Sequence, residues 1–215
     1  MKFTLQYSDV KDITSRLPQL LSKEDGRPQL QYFQFDFRSA GDDTATLTVT
    51  ALDGRSVGAI SMVVNDYDGP DKLTLFVPDF KIPTGAKQAC VVNGVKCAVS
   101  TDSKTITLDF SVTKLILPLF QPVCDNARIK WSGALPDKDP VFTIYVNREQ
   151  LEKALKIFNK DDAVRFTFYG PVDQVVMTQP FPVTAPAAVV FPMRVHENYN
   201  DDADKILFNL RSLDY

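Results

Sequence analysis

The sequence predicts an α+β fold of antiparallel sheets with two helices, and three observations predict it. Apolar and polar residues alternate with period two in segment after segment, the pattern of strands that bury one face. Most connections are too short for the crossovers that parallel pairing requires. Apolar residues at helical spacing stand out in two places alone.

The first helix is expected from about Ser8 to Leu21, where Val10, Ile13, Leu17, Leu20 and Leu21 share a side behind a Ser8 or Asp9 cap. Pro18 interrupts it: proline has no amide donor and clashes with the preceding turn, so the helix either kinks there or ends near Leu17. Next, Phe33, Phe35 and Phe37 point one way and Tyr32, Gln34 and Asp36 the other, while Leu47 and Val49 alternate with Thr46, Thr48 and Thr50. Further strands are expected at residues 57–64, 72–77, 88–92, 95–100, 104–111, 128–131 and 141–146. The second helix follows, with Asn147 as cap, Gln150 at the capping-box position, and Leu151, Ala154, Leu155 and Phe158 in one apolar stripe. Strands at 163–169, 174–178 and 188–194 come last.

The order of elements suggests an organisation. Strand, helix and three strands make up the N-terminal third, and the same order recurs from Val141 to Arg194 without a residue-level repeat. Between them the chain shows no helix signal and is bounded by Asp66-Tyr67-Asp68-Gly69-Pro70-Asp71 and Gly133-Ala134-Leu135-Pro136-Asp137. We therefore expect an N-terminal half (1–66), a β-rich middle that is an insertion or part of a second domain (67–132), a C-terminal half (133–195) and a tail (196–215). In the middle, residues 91–96 read as a hairpin turning at Asn93-Gly94, which sets Cys90 opposite Cys97. Paired positions lie about 4.5–5.5 Å apart, within reach of a disulfide, but three cysteines in a reducing cytosol are expected to stay thiols.

Composition excludes several classes of function. A chain of 215 residues with 44% apolar content builds a real core. A net charge of -3 confines any nucleic-acid contact to a local patch. No run approaches the roughly 18 apolar residues of a membrane span, and Met1-Lys2-Phe3-Thr4-Leu5-Gln6 lacks a signal-peptide core, so a cytoplasmic location is expected.

Two landmarks carry a resemblance. Gly26-Arg27-Pro28-Gln29-Leu30 leads to Ala51-Leu52-Asp53-Gly54-Arg55, and a late apolar strand, Val189-Val190-Phe191, stops at Pro192-Met193-Arg194. With the recurring strand-helix-three-strand order, these resemble the bacterial DNA polymerase III β subunit, the β sliding clamp, in shortened and divergent form. The resemblance covers the two ends of the chain and not the middle. It implies the DNA clamp-like (processivity) fold, with one full domain plus a β insertion or two abbreviated domains, since a clamp subunit has three. There are departures: Arg55 follows Gly54 directly, Ser56 occupies the usual arginine position, and Phe191 stands where methionine is usual.

What the resemblance implies is binding without catalysis. A clamp faces duplex DNA with its helices, which singles out Arg148, Lys153, Lys156 and Lys160 on the second helix and Lys11, Arg16 and Lys23 from the first, with Asp9 and Asp12 diluting their charge. Phosphate contacts of this kind give salt-sensitive binding without sequence preference. The other implied site takes short hydrophobic peptides of polymerases and other replication proteins at Gly54, Arg55, Val57, Val189, Val190, Pro192, Met193 and Arg194. Val57, Val189 and Met193 read equally as strand core, and the lysines as a solvated face. A homo-oligomer is expected, because a ring needs several chains this short. The tail carries Leu207-Phe208, an apolar pair suited to such a pocket, behind acidic Asp201-Asp202-Ala203-Asp204.

Enzyme signatures are missing. His196 is the sole histidine and has no evident nucleophile partner, zinc spacing and nucleotide-binding glycine patterns do not occur, and Asp66, Asp68 and Asp71 lack the glycine offset of a calcium loop. No metal or cofactor is expected. Two functions remain: a sliding-clamp-like processivity factor, or a clamp-derived interaction or self-assembling module that does not encircle DNA.

Overall fold

The computed structural model describes residues 1–24, 27–54, 56–122, 144–158, 163–170, 174–178 and 187–192. It divides into two compact units, Met1–Ala134 and Leu135–Tyr215. Three helices and eleven strands are present among the described residues, one helix more than expected.

Unit 1 contains the order strand, helix, three strands twice. The first half is β1 (Lys2–Leu5), α1 (Tyr7–Arg16), β2 (Tyr32–Gly41), β3 (Thr44–Leu52) and β4 (Val57–Asp68). The second is β5 (Lys72–Pro78), α2 (Ala86–Asn93), β6 (Val95–Val99), β7 (Thr105–Asp109) and β8 (Lys114–Pro118). All eight strands join one antiparallel sheet in the order β5-β2-β3-β4-β1-β6-β7-β8. Each half gives its first strand to the other: β5 lies beside β2, with Phe35 opposite Leu75, and β1 lies beside β6, with Phe3 opposite Cys97. Each half also closes on itself: β1 pairs with β4 through a bulge, and Phe76 of β5 bridges Phe120 just past β8.

The expected boundary at 66/67 falls inside β4, and the described part of the segment expected as a β-rich insertion or part of a second domain, residues 67–122, contributes β5 to β8 to the same sheet as β1 to β4. Its helix is the main correction. Residues 88–92 are not a strand, and Asn93-Gly94 is not a hairpin turn. Ala86 and Cys90, four apart, are both fully buried, and the Gly94 amide donates to the Cys90 carbonyl at 2.9 Å, closing α2. Gly85 (φ +82°) and Gly94 (φ +68°) bracket the helix. Glycine is required at 94, since a β-carbon there would lie 2.7 Å from the Leu5 carbonyl oxygen. The β-branched pair Val91 and Val92 suggested a strand, yet both are exposed on the helix surface.

The cysteines are consequently not cross-strand partners. Cys90 faces inward from α2 and donates its thiol to the Phe110 carbonyl at 3.1 Å, while Cys97 sits in β6 between Phe3 and Leu108. Both are free and buried, and burial pushes each thiol up from its ordinary value, most strongly at Cys97. β8 was not anticipated, although Leu115 and Leu117 alternate with Lys114 and Ile116. The strand expected at 128–131 lies outside the described residues.

The first helix and the aromatic strand lie where expected. α1 ends at Arg16 and Pro18 opens a separate 3-10 turn, Pro18–Leu20, so the helix stops instead of kinking. Its N-cap is Gln6 rather than Ser8 or Asp9, and it makes no side-chain capping bond. Phe33, Phe35 and Phe37 are at most 1% exposed and form the core with Phe3, Val10, Ile13, Leu47 and Val49. Phe3 packs edge-on against Phe37 with centroids 4.9 Å apart. The polar side of β2 is buried as well: Gln34 Nε2 and Thr74 Oγ1 donate to Asp36 at 2.7 and 2.6 Å.

Unit 2 shows one run of the same order. The α3 helix (Arg148–Leu155) precedes β9 (Arg165–Phe168), β10 (Val175–Thr178) and β11 (Ala187–Val190), which form a sheet in the order β11-β10-β9. Val146, ahead of the helix, bridges Pro192. Asn147 caps α3 by accepting from the Gln150 amide at 3.2 Å, as expected. Leu151, Ala154 and Leu155 pack on a small core of Phe158, Val175, Met177 and Val190.

Candidate DNA-facing helices and peptide-binding positions

In unit 1, burial of Val10 and Ile13 turns the opposite side of α1 to solvent, and α1 packs beside α2. This neighbourhood brings Lys11 and Lys87 together on a shallow depression of about 260 Å³ with Gln6, Tyr7, Ser8 and Val91. Lys87 was missed because its helix was missed. The signal was present in Ala86 and Cys90 at helical spacing between two glycines.

The remaining cations divide. Arg16 pairs with Asp12 at 3.1 Å, Arg148 with Glu152 at 2.6 Å and Lys153 with Glu149 at 2.6 Å, all one turn apart on their own helices. Such exposed pairs contribute little stability, but each reduces the positive field its helix projects. Lys11, Lys87 and Lys156 make no ion pair among the described residues. Lys23 is not on α1. It lies past the 3-10 turn and lines a cleft of about 320 Å³ with Gln19, Leu21, Ser22, Glu24 and Asp53. Lys160 is outside the described residues. Asp9 has its carboxyl pushed up by burial first and by neighbouring Asp12 second, against the pull of bonds from Gln6 and Ser8.

The positions expected to bind peptides fall in both units. Asp53 and Gly54 form the turn between β3 and β4, where the Ser56 amide donates to Asp53 Oδ1 at 2.7 Å and the Asp53 amide to the Ser56 carbonyl at 3.2 Å. Gly54 adopts φ +91°, and a β-carbon there would stand 3.4 Å from Arg27 Nη1 and 3.8 Å from Leu30 Cδ1. The fold thus gathers the two parts of the first landmark, Arg27 to Leu30 and Asp53-Gly54, at one place. Val57 opens β4 opposite Leu52 and is half-buried.

In unit 2, Val189 and Val190 occupy β11 with opposite fates. Val190 is core at 2% exposure, which makes it structural, whereas Val189 is 50% exposed on the other face. Pro192 closes the bridge to Val146. Arg55, Met193, Arg194, His196 and the tail with Leu207-Phe208 lie outside the described residues. No cluster of three or more metal-ligating side chains occurs among the described residues, and no helix among them is long and apolar enough to cross a membrane.

No protein-family model matches the chain, and no curated protein matches it in sequence. Solved structures do. The chain is similar to the DNA polymerase sliding clamp of Bacillus subtilis, with TM-score 0.66 and 10% identity over 91% of this chain and 50% of that one. It is similar to the Helicobacter pylori β clamp bound to a DNA ligase peptide, with TM-score 0.65 and 8% identity over 91% and 52%. A third neighbour is the Bartonella birtlesii sliding clamp, DNA polymerase III subunit beta, bound to griselimycin, with TM-score 0.64 and 17% identity over 91% and 52%. The chain spans about half the length of these clamps. Identity this low speaks for the fold alone, and at that level the expectation from the two landmarks is met: the chain has the fold of the bacterial DNA polymerase III β sliding clamps.

Proposed function

We propose that this chain is a sliding-clamp-like processivity factor, a non-catalytic protein that holds duplex DNA without sequence preference and binds short hydrophobic peptides of replication proteins. The observation that carries the reading is the paired helices of unit 1, which present Lys11 and Lys87 together on a solvent-facing surface of a clamp fold. Two clustered ammonium groups suit phosphate contacts, which give affinity without reading bases. The peptide role is supported by the Gly54 turn beside Arg27 and Leu30, by exposed Val189, and by neighbours solved with a DNA ligase peptide and with griselimycin. Several copies would be needed to surround DNA.

Fluorescence anisotropy with unrelated duplexes tests the DNA role. Equal affinity across sequences is expected, falling steeply with salt, and the Lys11→Glu/Lys87→Glu double variant should bind at least about tenfold more weakly. Unchanged affinity in that variant would remove the helical face from the proposal. Failure to stimulate primer extension by a bacterial replicative polymerase on circular DNA would end the processivity reading.

One observation favours a second reading. Arg16, Arg148 and Lys153 are each paired with an acid on their own helix, which leaves the helices close to electrically balanced. A clamp-derived module that binds protein or itself, without surrounding DNA, needs no stronger field. Peptide binding that persists with no measurable DNA affinity would select it.

A further inference from the structure

We infer that the depression between α1 and α2 receives one unpaired nucleotide, its base against Tyr7 and Val91 and its phosphate between Lys11 and Lys87, so that the chain prefers DNA carrying a single-stranded stretch to blunt duplex. The inference rests on the DNA reading and deepens it.

The depression combines two chemistries. Lys11 and Lys87 supply ammonium groups from neighbouring helices, and neither makes an ion pair among the described residues. Tyr7 and Val91 supply an apolar wall: Tyr7 is half-buried with its ring packed on the core, and Val91 is 57% exposed. Gln6 and Ser8 complete the lining, which contains no acid.

Other hollows of unit 1 differ in charge. In the depression of about 390 Å³ on the sheet, Lys2, Lys96 and Lys114 stand among Asp66, Asp68 and Asp109, with Lys114 paired to Asp109 at 3.1 Å. Those charges cancel. The cleft at Lys23 likewise holds Glu24 and Asp53. An anion is therefore favoured between the helices and not at these two places.

Blunt duplex uses half of what the depression offers. Its phosphates reach the lysines, but its bases are stacked inside and present only their edges in the grooves, so an apolar wall gains nothing from them. An unpaired nucleotide uses both halves. Its phosphate meets the ammonium groups while the flat face of its base stacks on the tyrosine ring, and since every base has such a face no sequence is read. The core already holds that ring, so stacking costs little further ordering. The volume of about 260 Å³ lies just below the range of small-molecule pockets, the scale of a single base rather than of a double helix.

Fluorescence anisotropy at one salt concentration tests this with a blunt duplex and the same duplex extended by a thymidylate overhang. The full chain should bind the overhang duplex about fivefold or more tightly than the blunt one, the scale of one stacked base. Tyr7→Leu and Val91→Ser should each reduce that preference to about one. Lys87→Gln should weaken binding of both DNAs, and Val92→Ser, 88% exposed and outside the lining, should keep the preference. Photocrosslinking of the wild type to a 5-iodouracil overhang gives a readout that no variant's folding affects, and it should mark Tyr7. No preference in the wild type, a preference that survives both Tyr7→Leu and Val91→Ser, or crosslinks away from the two helices would overturn the inference while duplex binding stands. Binding of neither DNA would end it together with the DNA reading. An acidic, phenylalanine-containing peptide that binds the depression while the overhang adds nothing would assign the depression to a protein partner instead.

Discussion

The second strand of each half makes an informative comparison across the two units. β2 carries Phe33-x-Phe35-x-Phe37 and β9 carries Phe166-x-Phe168, the same alternation at the same place in the same element order. In unit 1 these aromatics are sealed, and in unit 2 Phe166 and Phe168 are 41% and 46% exposed. The local pattern is shared, so the difference lies in what packs over it: β2 runs between β3 and β5 inside the eight-stranded sheet, whereas β9 belongs to the three-stranded sheet β11-β10-β9 with its smaller core. Alternation specifies which side of a strand is apolar. Burial of that side is decided by what the rest of the fold brings over it.

The helices repeat the lesson. α1 fully buries Val10 and Ile13, while the described side chains of α3 are half-buried at best within the helix itself. α3 instead has the better local signal, a side-chain cap at Asn147, where α1 has none. The helix with less tertiary support carries more of its own stability in its sequence.

Substitutions can break or sharpen the contrast. Phe35→Ala should have the largest effect, destabilising unit 1 by about 3–5 kcal/mol in chemical denaturation, because a fully buried ring leaves a cavity. Hydrogen exchange at Val175 and Met177 in unit 2 should be unaffected; equal loss there would mean that the units unfold as one. Gly94→Ala should cost about 2–4 kcal/mol, combining a backbone conformation open essentially to glycine with a close approach to the Leu5 carbonyl. Gly85→Ala is its control: φ is +82° there but nothing lies within 4 Å, so about 1 kcal/mol is expected.

The caps offer a smaller test. Asn147→Ala should destabilise unit 2 by about 1 kcal/mol, and Gln6→Ala should change unit 1 by only a few tenths, read from thermal unfolding. Similar losses at both sites would contradict the claim that α3 depends more on its cap. The smallest effect is expected at Asp9, whose folded carboxyl holds its proton more tightly than the unfolded one. Its favourable contribution is present below the unfolded value and is lost as pH rises through the raised folded value. Asp9→Asn should therefore raise Tm by about 1–2 °C at pH 7, after discounting for solvent screening, with the gain shrinking as pH falls. A gain that grows toward acid pH would show the sign to be wrong.

Sequence reading located α1, α3 and most strands because their apolar periods are strong and their ends are marked by Pro18 and Asn147. It missed α2, where two valines and an Asn-Gly pair mimic a hairpin and Ala86 and Cys90 alone are fully buried. Missing that helix hid both the second half of unit 1 and Lys87 of the candidate site. The Gly54 turn and Val189 were legible as positions. That Lys23 sits beside Asp53 rather than on α1 was not, because the chain leaves the helix at Leu17 and reaches that cleft through a turn.

The sequence by itself determined most element types, with α2 and β8 the exceptions, the apolar side of the strands it located and the family that the two landmarks resemble, since all three depend on residues near one another in the chain. Tertiary structure decided the exchange of first strands between halves, the burial of one Phe-x-Phe strand and the exposure of another, and the pairing of Lys11 with Lys87. Those features depend on contacts between distant segments. Period and propensity carry no record of which edge a strand will meet.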